Sequence, residues 1–132
     1  KNEDLKISQD NSKTSTLNYF FSFQEIINRV ADKIPASVFT NPEQVSAEQF
    51  NQLSAAHQFG ADQLLKLEVP SKLVGIHKKE IGLLGAKAAA YKLIANYAID
   101  PLTTILTLEE LPKINQDFSN LQDEINTAAK NI

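Results

Sequence analysis

His57 and His77 are the only imidazoles in the chain, and both fall on apolar stripes at helical spacing. Glu80 follows His77 by one helical turn, and Asp62 lies near His57. Facing helices that supply imidazoles and carboxylates are how bundles hold iron and other metals. A hairpin turning at Glu68-Val69-Pro70 sets the two histidines at nearly equal distances from the turn, where their rings can meet. The pattern departs from carboxylate-bridged di-metal bundles, which pair Glu-x-x-His motifs with further glutamates. Here a single His77-Lys78-Lys79-Glu80 runs in the opposite order. Two histidines can also clasp a haem, but the chain has no methionine and no Cys-x-x-Cys-His attachment motif. The plain reading is two packed, hydrogen-bonded core histidines and no cofactor. A metal or haem site using His57, His77 and Glu80 is the alternative.

Other chemistry finds less footing. Without cysteine there is no thiolate nucleophile, no zinc-thiolate site and no disulfide. No serine sits in a Gly-x-Ser-x-Gly elbow. Gly82-Leu83-Leu84-Gly85 lies mid-helix rather than between strand and helix, where a phosphate loop belongs. Glu109-Glu110 and Asp123-Glu124 fall off the apolar seams and read as solvated. The chain therefore reads as non-enzymatic. Net charge is −3 and Arg29 is the only arginine, so the concentrated basic surface that binds nucleic acid is missing. No apolar run approaches the roughly 18–20 residues that span a bilayer.

The elements that must position these residues are helices. One domain of 132 residues is long enough to bury a core of its own. Residues 1–14 read as a polar, flexible or loosely docked leader and possible tether, with residues 15–132 as the bundle. Ser12, Thr14 or Ser15 caps a first helix whose Phe20, Phe23, Ile27, Val30 and Ile34 form one stripe, ended by Pro35. A loop through Pro42 leads to a second helix opened by a Ser46/Gln49 capping box, with Phe50, Leu53, His57, Ala61 and Leu64 inward. The third runs from Pro70 to just before Asp100, about 42 Å at 1.5 Å per residue. His77, Ile81, Leu84, Ala88, Tyr91, Ala95 and Ala98 keep heptad spacing along it. Gly75, Gly82 and Gly85 join nearby alanines in a small-residue strip, read as a close approach by a neighbouring helix. Asp100-Pro101 starts a short helical turn to about Leu106. Pro112 then opens a last helix with Ile114, Phe118, Leu121, Ile125 and Ala128 inward. The fold class is all-α: an antiparallel four-helix bundle with a long central third helix and a flexible N-terminal leader.

Tyr19, Phe20, Phe21 and Phe23 cannot all face inward from one helix. Phe20 and Phe23 belong to the stripe and Tyr19 or Phe21 is left at the edge, either as a partner contact, where rigid rings serve well, or covered by the leader through Leu5 and Ile7. The start at Lys1 without methionine reads either as a trimmed end or as a segment whose signal or anchor was removed.

One pattern carries a likeness. A leader Asp4-Leu5-Lys6-Ile7-Ser8-Gln9-Asp10-Asn11-Ser12 precedes a helix bearing Tyr19. Val69-Pro70-Ser71-Lys72-Leu73 follows, with His77 four residues on and a closing Asp100-Pro101-Leu102. This order resembles a group of uncharacterised, membrane-anchored extracytoplasmic helical proteins from Patescibacteria-type bacteria. The resemblance implies an envelope location, an anchor upstream of Lys1 and a protein partner there. It brings no activity with it.

Overall fold

A computed structural model describes residues 5–40 and 45–132; Lys1–Asp4 of the leader and Pro42 of the loop lie outside the described residues. Four long helices form the antiparallel bundle that the spacings predict: α1 (Lys13–Asp32), α3 (Ala47–Lys66), α4 (Val74–Ala95) and α5 (Pro101–Lys130). A one-turn helix, α2 (Ser37–Thr40), occupies part of the stretch read as loop. The start signals act as expected. Ser12 Oγ accepts the Ser15 N–H, Ser46 and Gln49 close a capping box, and Asp100 accepts the Thr103 N–H with Pro101 in the first turn.

The α3–α4 hairpin is longer than three residues. Val69–Pro70 is extended (β2) and Ser71–Leu73 forms a 3-10 turn that feeds α4. Leader residues Ile7–Ser8 (β1) pair with β2 in parallel, Ile7 opposite Val69. The Val69 N–H donates to the Lys6 carbonyl at 2.8 Å. Asn11 donates to Ser71 Oγ and accepts the Lys72 N–H. Of the two readings of the leader, the described residues take the docked one.

α4 is the spine, with α3 packed on one side and α5 on another, while α1 lies against α3. It ends at Ala95, sooner than expected, because Asn96, Tyr97 and Ile99 turn their N–H groups to carbonyls three residues back. α5 corrects the sequence reading more deeply. The short turn to Leu106 and the helix from Pro112 are one continuous helix of 30 residues with Pro112 inside it. Proline removes one i→i−4 bond, but here its ring lies on an exposed face. The heptad seam of Leu121 and Ile125 runs back through Ile114 and Leu111 to Thr107 and Thr104, and holds both halves against α4.

The small-residue strip is corrected as well. A methyl added at Gly75, Gly82 or Gly85 would meet nothing within 4 Å, so no helix approaches there. The close approach is at Gly60, where an added Cβ would lie 2.7 Å from Val30 Cγ2 and 3.2 Å from Leu84 Cδ1. Gly82→Ala should therefore stabilise the protein by about 0.5–1 kcal/mol through helix propensity alone. A rise in urea midpoint at unchanged slope would show it; a fall would mean that α5 comes closer than this geometry allows.

α1 is rotated relative to the predicted stripe. Thr16, Tyr19, Phe23, Ile26 and Val30 are buried, while Phe20, Ile27 and Ile34 are half-buried. Tyr19 is not at the edge but in the core at 3% exposure, with its ring beside Phe23 and in one buried cluster with Leu64 and Leu84. The rotation has a polar cause: the ring can go fully inside because its hydroxyl finds a partner there.

Candidate functional site

That partner is His77. The Tyr19 hydroxyl and His77 Nδ1 are 2.8 Å apart, and the rings meet edge to face at 5.6 Å. Burial depresses the histidine's pKa, opposed in part by the Leu64 carbonyl, and raises that of Tyr19, helped by the nearby charge of Glu80. Both groups stay neutral, so the hydroxyl donates to Nδ1 and the ring proton sits on Nε2. That nitrogen is enclosed and makes no hydrogen bond of ordinary geometry. His77 is wholly buried and hydrogen-bonded in the core, and it is not among the residues that line the cleft between α1 and α5.

Glu80 lies one turn further along α4, also buried, and its Oε2 is enclosed with no hydrogen-bond partner. Burial pushes its carboxyl up to about 7. Unlike His77, it lines a cleft of about 500 Å³ between α1 and α5. Phe20, Phe23 and Ile27 form one wall, Phe118 and Ile125 the other. His57 and Lys87 line the same space. His57 Nδ1 lies 2.8 Å from the Leu53 carbonyl, which can only accept, so Nδ1 carries the proton. Burial first, and Lys87 to a lesser degree, lower the His57 pKa against the pull of that carbonyl. Lys87 rests over the rings of Phe118 (5.2 Å) and Tyr91 (5.8 Å), and burial lowers its pKa.

The two histidines do not share a site. Ser54 donates to the Ala88 carbonyl and Gly60 faces Leu84, which places His57 level with the middle of α4. His77 sits roughly two turns, about 12 Å, nearer the hairpin. Equal spacing from Glu68 misleads because β2 and the 3-10 turn move the hairpin's centre toward α4. Each ring instead packs on a different tyrosine, His77 on Tyr19 and His57 on Tyr91. Among the described residues no group of three or more His, Cys, Asp or Glu is placed to hold a metal ion.

A second feature lies at the far pole of the bundle. Leu93, Tyr97 and Ile99 at the end of α4 and Leu102, Ile105, Leu106 and Leu108 on α5 are all exposed, Ile99 by 85% and Leu102 by 68%. Over the same turns Thr104 and Thr107 are buried. Their hydroxyls donate back to helix carbonyls of Asp100 and Thr103, and Thr104 also reaches the Leu93 carbonyl, which makes burial tolerable. The first half of α5 is thus inverted, with threonines inward and leucines outward. Phe21 is exposed as expected, at 70%, but it is a single ring on α1. Tyr19 leaves the candidate surface altogether.

The inversion was open to sequence reasoning, since Thr104, Thr107 and Leu111 continue the three-four spacing of Ile114, Phe118 and Leu121. A start signal at Pro112 masked it. The role of Glu80 in the cleft had no sequence signal beyond its place on the His77 face. Comparison with protein-family models, with characterised proteins and with solved structures finds no match.

Proposed function

We propose that the protein is a non-enzymatic helical interaction module, and that its partner surface is the apolar corner built by the end of α4 and the first half of α5. The observation that carries this reading is the inverted helix. Contiguous apolar surface of this kind marks interaction sites on soluble domains, and here it coincides with polar residues turned into the core. The occupant that fits is an amphipathic helix of another protein, flanked by Lys or Arg. Its α5 part presents Leu102, Ile105 and Leu106 over little more than one helical turn, and Asp100, Glu109 and Glu110 outnumber Lys92 and Lys113 around it, which favours a basic flank.

An envelope location, with tethering through the N-terminal leader, belongs to the same proposal and rests on the family resemblance. Among the described residues no helix is long and apolar enough to cross a membrane. The leader docks at the α3–α4 hairpin, the pole opposite the corner. A tether there would hold the apolar surface outward.

The test is cross-linking in native cells, followed by purification and mass spectrometry. A stoichiometric partner cross-linked through Lys92 or Lys113, and weakened about tenfold or more by Leu106→Glu with helical content unchanged, supports the reading. Cross-links confined to other faces, or loss on Phe21→Ser alone, would move the interface to another surface and overturn it.

A further inference from the structure

Glu80 is out of keeping with a purely structural cleft. Its Oε2 is enclosed without a donor, on a residue only 6% exposed. No neighbouring donor reaches it: the His77 Nε2–H, enclosed beside the Leu64 carbonyl, makes no hydrogen bond to the carboxyl, and two others are already engaged. The Tyr19 hydroxyl of α1 is held by His77, and the His57 Nδ1–H of α3 by Leu53. On α5, the Gln122 amide donates to Asn126, and the cleft wall there holds no titratable residue. Lys87 lies about 10 Å along α4 at 1.5 Å per residue, over two aromatic rings. What the carboxyl lacks is a hydrogen-bond donor, and a buried carboxylate is best satisfied by a cationic one.

We propose that the cleft between α1 and α5 binds a small amphipathic primary amine, its ammonium on Glu80 and its apolar body between the Phe20–Ile27 wall and Phe118. This goes beyond the interaction reading and uses a different part of the molecule. The aromatic and aliphatic walls supply the apolar contact that such pockets use, with one polar group fixing orientation. Binding requires Glu80 to ionise, so affinity follows its titration. His57 and His77 are both held neutral by burial and contribute little above pH 6.5.

Calorimetric titration of the full chain with octylamine tests this, with octanoate and octanol as controls. We expect one saturable site for octylamine at pH 8, weakening about tenfold at pH 6 as Glu80 takes up its proton. Glu80→Gln should weaken binding about tenfold or more. Ile27→Trp, which fills the wall without touching Glu80, should do the same. Absence of saturation at millimolar octylamine, equal or tighter binding of octanoate or octanol, or undiminished binding by Glu80→Gln would each overturn the proposal. A preference for octanoate would assign the head group to Lys87 instead.

Discussion

Glu80→Gln should stabilise the protein above pH 7 by about 3 kcal/mol and leave it unchanged below pH 4.5. The carboxyl titrates at about 7 when folded against 4.5 as its ordinary value. Below pH 4.5 it is protonated in both states and costs nothing. As pH rises through that value the unfolded chain releases its proton while the folded chain keeps it. Stability is therefore lost progressively up to about pH 7, at about 1.4 kcal/mol per pH unit. His57 and His77 act in the opposite sense. Their folded pKa values are depressed by burial, so they remove stability as pH falls below the ordinary histidine value. The wild-type curve alone mixes these trends, and the difference between variant and wild type isolates Glu80. Urea unfolding at intervals from pH 4 to pH 8 measures it. Parallel curves would mean that Glu80 ionises freely in the folded protein. A group that lowers stability at neutral pH in an otherwise apolar setting is a candidate for function, which is why the same variant also tests amine binding.

Gly60→Ala should destabilise by about 1–3 kcal/mol, the usual penalty for overpacking a filled core. The new Cβ would stand 2.7 Å from Val30 Cγ2. Valine in a helix has one strongly preferred rotamer and cannot swing aside, so α1 must move away from α3. Val30→Ala removes the obstructing methyl and should reverse the sign: Gly60→Ala added to Val30→Ala is expected to raise stability relative to Val30→Ala alone. Thermal unfolding of the four proteins in the cycle checks this. Additive losses would show that the helices already part enough to admit a methyl.

Local chemistry made much of the architecture legible. Ser46 with Gln49 and Asp100 with Pro101 mark helix starts through groups that satisfy free N–H donors within one turn, so neighbours in sequence suffice to reveal them. The inward positions of α3, from Leu53 through His57 and Ala61 to Leu64, follow from apolar spacing alone. Pro112 shows the limit of such signals. A proline is compatible with a helix start and with an exposed helix interior, and only the packing of residues on both sides against α4 selects the second.

Tertiary structure decided the rest because the deciding partners are far apart in the chain. Tyr19 is buried since His77, on another helix, accepts its hydroxyl. Gly60 and not Gly82 is the contact glycine, because α1 crosses α3 at that level while the Gly82 side of α4 stays open. The pairing of β1 with β2 joins residues about sixty positions apart. The cleft that holds Glu80 exists only because α1 packs on α3 and α5 on α4, leaving a gap between them. Helical periodicity places a side chain on a face; which neighbour that face meets is set by how the helices rotate and cross to fill a common core.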